Sequence, residues 1–243
     1  MSAAKRITQK ELRQPDEFVT ATGRVVEWAK ENQRTVAAGA IGLVGVLVVI
    51  ALVSWWISSR NASANQQFYS AIELYKAEQW QEAYEGFKGL VDDLGGTDYG
   101  RLGTLYAGRT ALKLEKPAEA VPYYREYLSG STTVALEQLA RLNLGRALAQ
   151  TGDSAGARNE LDQALALAGP ARPEATLELA RLEERDGATE RALELYGRYL
   201  EDNPQGPAKD LVRARIVALG GTPPAVETPG FPGGRSPLQL RME

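Results

Sequence analysis

An uncharged apolar run is the most distinct pattern in the chain, and it extends from Val36 to Ile57. As a helix it would be about 33 Å long, enough to cross the ~30 Å hydrocarbon core of a membrane. A helix on the surface of a soluble core would carry a polar face, and this run has none. Trp55 and Trp56 stand at its far end, where indole rings favour the headgroup layer. The pattern predicts one transmembrane helix at residues 35–57.

Basic residues are distributed unequally around this run. Only Arg60 follows it closely. Seven basic residues precede it: Lys5, Arg6, Lys10, Arg13, Arg24, Lys30 and Arg34. Because cytoplasmic flanks are enriched in Lys and Arg, residues 1–34 are predicted to stay in the cytoplasm and residues 58–243 to be exported.

A cleaved signal peptide is the alternative to an anchor. Ala62-Ser63-Ala64 has the small-x-small form that signal peptidases accept. However, the 34 residues before the run and the 22 residues of the run itself are longer than a usual signal allows. The sequence therefore favours an uncleaved signal anchor.

Beyond the run, alanine marks a repeat of 35 to 37 residues. The four anchors are Ala83, Ala120, Ala157 and Ala192. Four residues after each anchor stand Phe87, Tyr124, Leu161 and Tyr196. Seven residues after each anchor stand Leu90, Tyr127, Ala164 and Tyr199. Spacings of four and seven place these positions on one face of a helix, so each anchor predicts a helix with a buried face.

A second pattern precedes each anchor by twelve or thirteen residues. Small or apolar pairs stand there: Ser70-Ala71, Ala107-Gly108, Leu144-Gly145 and Leu179-Ala180. Turn-like residues separate the two patterns: Glu78-Gln79, Glu115-Lys116-Pro117, Thr151-Gly152-Asp153 and Asp186-Gly187. Small residues would let two helices lie close together. Each unit is therefore predicted to be a helix–turn–helix of about 34 residues.

This arrangement resembles the tetratricopeptide repeat, which has a small residue in its first helix, Ala in its second and an aromatic residue four positions later. The resemblance covers residues 64–205. The fourth unit also has Pro204 at the family's closing proline, whereas the first unit has Gly95 there and lacks a Gly in its first helix. The resemblance implies an all-α fold of about four units stacked into an α-solenoid, because one unit cannot bury its apolar face alone.

A further amphipathic segment follows the fourth unit at residues 207–219, and it is predicted to be a capping helix that ends at Gly220-Gly221. Three apolar residues would face inward: Leu211, Ile216 and Leu219. The repeat domain is thus predicted at residues 58–219. Residues 220–243 carry many Pro and Gly and are predicted to form a disordered tail.

The layout as a whole is similar to a narrower family, the ancillary subunit of the SecYEG translocon (the YfgM type). The opening text RITQKELRQPDEFVTATGRVVEWAKENQR is also similar to the openings of bacterial membrane-anchored repeat proteins. This resemblance implies a bacterial inner-membrane protein with a periplasmic repeat domain that binds newly exported chains, the translocon or periplasmic chaperones. A coordinator of cell division or envelope assembly is the alternative.

Composition removes most enzyme chemistries. The chain has no His and no Cys, which excludes Ser–His–Asp, Cys–His and His-ligated metal mechanisms. Gly152-Asp153-Ser154-Ala155-Gly156 matches a hydrolase nucleophile elbow, but an elbow needs a preceding strand and a His base. A turn capped by Asp153 or Ser154 is predicted instead. The net charge of −3 disfavours nucleic acid as a partner. A binding scaffold without catalytic, cofactor or metal site is predicted.

Basic residues recur just after the small positions of the first helices. Arg109, Arg146 and Arg181 stand there, and Lys113 and Arg185 follow one helical turn later. In the tetratricopeptide family these positions line the concave groove, so the resemblance implies a basic ladder of Arg109, Arg146 and Arg181 that is reinforced by Lys113 and Arg185. Four residues before each ladder arginine stand Leu105, Leu142 and Leu177, which would give the groove an apolar floor.

Two interpretations of this ladder stay open. Guanidinium groups bind carboxylates in a forked geometry, so the groove could take an extended peptide or protein segment. Alternatively, the arginines pair with Glu137, Glu160 or Glu178 of neighbouring helices and only hold the stack together.

The N-terminal segment is a second candidate site. Phe18, Thr22, Val25 and Ala29 lie at helical spacing. They predict either an amphipathic helix that lies on the cytoplasmic leaflet or docks on a membrane complex, or a plain solvated extension of the membrane helix.

Overall fold

The computed structural model describes residues 17–224, with side chains from residue 23 onward. This part of the chain is all-helical, as the sequence predicts. Its helices are α1 (Glu17–Glu31), α2 (Gln33–Lys76), α3 (Trp80–Leu94), α4 (Asp98–Lys113), α5 (Pro117–Ser129), α6 (Val134–Thr151), α7 (Ser154–Ala166), α8 (Arg172–Arg185), α9 (Thr189–Asp202) and α10 (Lys209–Ala218). The first basic residues, up to Arg13, and the predicted tail after residue 224 lie outside the described residues.

The chain divides into two compact units after Ser59. In the first unit, α2 is long and apolar enough to cross a membrane, and none of its most apolar stretch is buried. Ile41, for example, is 73% exposed. The predicted span therefore lies within a single helix, which does not end at Ile57 but extends to Lys76.

The second unit is a stack of helix pairs in which each helix from α3 to α10 contacts the next along the chain, and the last part of α2 packs on α3 through Phe68 and Phe87. All four anchor alanines are buried, and so are the side chains four and seven residues after them. The repeat pattern is thereby confirmed as four pairs of helices followed by α10. The buried faces form two apolar clusters: one includes Phe68, Phe87 and Leu90 of the first repeat, and the other extends through the second, third and fourth repeats.

The first helix of a repeat needs a small residue at these positions because a large side chain of the second helix packs directly on it. A Cβ added to Gly108 would lie 2.9 Å from Cζ of Tyr124, and one added to Gly145 would lie 2.7 Å from Cγ of Leu161. Both large residues are the positions four after an anchor. The small residue of the first helix and the large residue four positions after the anchor therefore contact each other. This contact sets the distance between the two helices of these pairs.

The turn within each repeat has the same backbone geometry in all four units. One residue adopts a left-handed conformation: Glu78 (φ 59°), Glu115 (φ 58°), Gly152 (φ 88°) and Gly187 (φ 81°). The next residue donates its N–H to a carbonyl five positions earlier, as in Lys116 to Ala111 at 2.9 Å and Asp153 to Leu148 at 2.9 Å. This pattern is the Schellman motif, in which glycine normally occupies the left-handed position.

Glu115→Gly is expected to raise the free energy of unfolding by about 0.5–1 kcal/mol. A non-glycine residue pays about 1–2 kcal/mol in the left-handed region, and glycine's greater freedom in the unfolded chain offsets part of that gain. Gly152→Ala at the equivalent turn is the reciprocal control and should lower stability, although its Cβ meets open space. Thermal melts of both variants measure the effect, and a loss of stability in Glu115→Gly would contradict it.

One buried glutamine joins the third repeat to the fourth. Gln138 of α6 is 0% exposed. Its Nε2 donates to the carbonyls of Ala164 and Leu167 at 2.9 and 3.0 Å, and its Oε1 accepts from the N–H of Ala171 at 2.7 Å. These groups lie at the end of α7, in the loop after it and at the start of α8. A single side chain therefore satisfies backbone groups that the helices themselves leave without partners.

The capping helix forms, but its inward face differs from the prediction. Val212 and Ile216 are buried, whereas Leu211 is 52% exposed. Ile216 is buried and Leu219 is partly buried, as predicted, but the prediction for Leu211 is wrong. Val212 stands four residues before Ile216 and seven before Leu219, so it shares their face of the helix and Leu211 does not. Gly220 ends the helix in a left-handed conformation, as predicted (φ 80°).

Candidate functional site

The three ladder arginines lie at equivalent places on consecutive first helices. Arg109, Arg146 and Arg181 follow the buried small residues of α4, α6 and α8. Since α4 contacts α6 and α6 contacts α8, these helices form one row. Each arginine is offset by one residue from the buried face, and all three keep part of their surface exposed.

The leucines assigned to the floor of the groove lie in the core instead. Leu105 and Leu142 are each 1% exposed and Leu177 is 9% exposed. The prediction that they form an exposed apolar floor is therefore wrong. A residue four positions before each arginine lies about 40° further round the helix, on the side that packs against the second helices.

Arg146 and Arg181 share a single carboxylate. Nη2 of Arg146 and Nη1 of Arg181 each lie 3.0 Å from Oε1 of Glu178. Arg146 also donates to Oδ1 of Asn143 at 3.3 Å. The pairing with Glu178 is thus present, whereas the other two predicted partners, Glu137 and Glu160, pair with a different residue, Arg141. One carboxylate for two guanidinium groups leaves an excess of positive charge.

Arg185 adds a third cation beside this pair. It donates to the carbonyl of Ala149 at 2.7 Å and to Oγ of Ser154 at 3.2 Å, so it is held across two repeats. Its nearest carboxylate is Asp186, with Nε 3.6 Å from Oδ1.

A cleft of about 370 Å³ separates these side chains. It is lined by Arg146, Ala149, Gln150, Glu178, Arg181, Leu182 and Arg185. Three cations and one carboxylate give the lining a net charge of about +2. Arg181 and Arg185 each expose about half of their side chain, 49% and 48%. The cleft can therefore attract an anionic group and donate hydrogen bonds to it.

Arg109 and Lys113 lie on aromatic rings instead of facing carboxylates. Cζ of Arg109 is 5.3 Å from the ring centre of Tyr106 and 5.7 Å from that of Tyr75. Nζ of Lys113 is 5.4 Å from the ring centre of Trp80. Sequence reasoning missed these rings, although Tyr106 precedes Arg109 by three residues and so shares its side of α4. The predicted ladder is thus two chemically different surfaces.

A buried hydroxyl lies close to both surfaces. Tyr124 is fully buried, and its hydroxyl is the only buried side-chain polar atom in the described part of the chain without a hydrogen-bond partner. Burial raises the pKa of this phenol strongly, and the charges of Arg109 and Arg146 oppose that rise. The group stays protonated at any physiological pH and takes no part in acid–base chemistry.

The elbow-like motif is a turn between helices, as predicted. Asp153 caps α7 by accepting the N–H of Gly156 at 2.9 Å. Ser154 donates to Oδ1 of Asp186 at 3.0 Å and accepts from Nη2 of Arg185 at 3.2 Å, so its hydroxyl ties the start of α7 to the end of α8. In residues 17–224 there is also no group of three or more acidic side chains that could hold a metal ion.

The N-terminal candidate segment falls in α1, which is helical as its spacing predicts. Val25 and Trp28 are 64% and 55% exposed. The side chains of Phe18 and Thr22 lie outside the described residues, so the choice between an amphipathic and a plain helix stays open.

Two family models match the chain. A tetratricopeptide repeat-like domain matches residues 27–168, and a tetratricopeptide repeat matches residues 142–207. The first match begins before the apolar run and includes it. No curated protein sequence is significantly similar to this chain.

Several solved structures share the fold. The putative kinesin light chain repeats of Podosopora anserina align with a TM-score of 0.54 at 18% identity, covering 65% of this chain and 86% of their own. YrrB, described as a TPR protein with an unusual peptide-binding site, aligns with a TM-score of 0.53 at 18% identity, covering 64% and 74%. MamA aligns with a TM-score of 0.51 at 18% identity, covering 62% and 84%.

Proposed function

Because the chain belongs to the tetratricopeptide repeat-like domain family, we propose that it is a membrane-anchored scaffold whose basic cleft binds an acidic, extended segment of a partner protein. Repeats of this family form protein-interaction surfaces, and the fold is typically not enzymatic. The observation that carries the proposal is the cleft between α6 and α8, which is lined by three arginines and by only one carboxylate, that of Glu178.

An acidic peptide fits this cleft better than other anions for two reasons. The cleft lies on consecutive first helices, so its donors are spread along a row and not gathered around one point. In addition, Arg146 and Arg181 already bind the carboxylate of Glu178, so their guanidinium groups are arranged as they would be to bind a glutamate of a partner. The peptide-binding site attributed to YrrB supports the same use of a similar fold.

The anchor is proposed from α2. Its apolar stretch is exposed along its whole length, which is favourable in lipid and costly in water. Ala64 belongs to the helix and is 0% exposed, and it packs in the core of the first repeat. A peptidase needs an accessible, extended backbone, so this burial supports an uncleaved anchor. The excess of basic residues before Val36 supports a cytoplasmic N-terminus and an exported repeat domain.

The biological role we propose is assistance to protein export at the bacterial inner membrane. The likeness in layout to the YfgM-type ancillary subunit of the SecYEG translocon motivates this role. Newly exported chains or periplasmic chaperones would then be the partners, held near the membrane at a raised effective concentration by the anchor.

Photocrosslinking from the cleft in intact membranes tests this role. A benzophenone amino acid at Gln150, which is exposed and lines the cleft, is expected to capture exported chains, a chaperone or a translocon subunit. The same group at Arg191, an exposed position on α9, is the matched control. Capture of cell-division or wall-assembly proteins from Gln150 would replace the export role, and equal capture from both positions would contradict binding in the cleft.

A further inference from the structure

The first two repeats carry an aromatic surface next to the basic cleft. Tyr75 of α2 and Tyr106 of α4 meet edge to face, with ring centres 5.6 Å apart. Trp80, at the start of α3, lies 5.0 Å from Tyr75 in the same manner. All three rings are half-buried. Phe87 of the core lies 5.3 Å from Tyr106 and fixes the inner side of the group.

Arg109 and Lys113 cover these rings without a carboxylate partner. Neither residue takes part in an ion pair within the described part of the chain, whereas Arg146 and Arg181 both bind Glu178. Within the described residues, both cations lie over ring faces instead. Arg109 is only partly buried, and a guanidinium group can stack on an aromatic ring of a partner as well as on rings of its own chain.

We propose that this aromatic platform, formed by Tyr75, Trp80, Tyr106, Arg109 and Lys113, binds an aromatic side chain of the partner segment. The inference rests on the proposed function, because the same segment places its carboxylates in the cleft. An aromatic ring matches the platform in two ways, since it stacks on the guanidinium group and buries apolar area against the rings.

The fold also sets the spacing between the two parts of the segment. Arg109 is on α4 and Arg181 is on α8, and α6 packs between those helices. With about 8–10 Å between packed helix axes, the two arginines are about 16–20 Å apart along the row. An extended chain advances about 3.3 Å per residue, so the aromatic residue lies about five or six residues from the acidic ones.

Three synthetic peptides test this inference with the full-length protein in lipid nanodiscs. The first carries a pair of glutamates in a Gly/Ser chain, the second adds a Trp about six residues away, and the third has Leu in place of that Trp. Peptides are made with the Trp on either side of the glutamates, and the tighter-binding order is used. Fluorescence anisotropy of the labelled peptides gives each dissociation constant.

The Trp peptide is expected to bind about 5-fold more tightly than the Leu peptide. In Arg109→Gln this advantage should fall below about 2-fold, with little change in binding of the glutamate-only peptide. In Arg181→Gln all three peptides should bind more weakly and the Trp advantage should persist. Thermal melts establish that both variants are folded.

The outcomes separate the two proposals. An acidic peptide that binds without a Trp advantage, or an advantage that survives Arg109→Gln, overturns the aromatic platform and leaves the basic cleft intact. Failure of all three peptides to bind overturns the cleft and the platform together.

Discussion

Reversing the charge of both Arg181 and Arg185 is expected to weaken binding of an acidic peptide by about 100-fold or more. The substitutions Arg181→Glu and Arg185→Glu replace two of the three cations of the cleft by anions beside Glu178. The lining then repels carboxylates, and the lost charge-assisted hydrogen bonds together account for roughly 3 kcal/mol. Titration of the full-length protein in nanodiscs with the glutamate peptide measures the loss.

A matched control is available on α9. Arg191 and Arg198 are also half-exposed, and both pair with one carboxylate, Glu194. Arg191→Glu with Arg198→Glu changes the net charge by the same amount and should leave peptide binding within about 2-fold, because it lies outside the cleft. Both double variants should stay folded, since half-exposed ion pairs are each worth about 0–1 kcal/mol. Equal losses in the two variants, or no loss in the first, would contradict the cleft.

Gln138→Ala should lower the free energy of unfolding by about 3–4 kcal/mol. The change removes the partner of one buried carbonyl, of Ala164, and of two part-buried groups, the carbonyl of Leu167 and the N–H of Ala171, at about 1–3 kcal/mol for each group that stays unsatisfied, and it opens a cavity between repeats. The loop after α7 can move its unpaired groups toward water, which reduces the total cost. Chemical denaturation followed by circular dichroism gives the value.

Gln150→Ala is the comparison for this measurement, because Gln150 stands on the same helix but is exposed. Its effect on stability should stay within about 0.5 kcal/mol. If Gln138→Ala were equally mild, the loop from Leu167 to Ala171 would not depend on the glutamine, and the bridge between the third and fourth repeats would have no energetic role.

Much of the fold could be predicted because it depends on spacing. Ala120, Tyr124 and Tyr127 share one helical face in any α-helix, so their burial follows from the interval between them. The turns could also be located, because they fall between the two patterns in every repeat. The left-handed Glu115 shows that such a position can keep its backbone geometry without the usual glycine.

The candidate site was less predictable because it depends on which neighbours long side chains reach. Arg109 and Arg146 occupy the same register in the sequence, yet one stacks on Tyr106 and the other binds Glu178. Glu178 belongs to the repeat after that of Arg146, so no local interval encodes this pair, whereas the interval of three between Tyr106 and Arg109 is a local signal. The exposed Leu211 is a smaller case: α10 has apolar residues on two faces, and only packing against α9 selects Val212.

The division of the core into two apolar clusters has a consequence for how disturbances spread. Phe68 and Phe87 belong to the cluster of the first repeat, whereas the helices that form the cleft are packed in the other cluster. In stacked repeats, stability is a sum of nearest-neighbour terms, so one end can open while the other stays closed. Strain at the end next to the apolar helix would therefore melt the first repeat before it altered the spacing of Arg146 and Arg181. We therefore expect the cleft to keep its geometry, and the carboxylates of a partner segment to stay bound in it, while the first repeat opens and refolds.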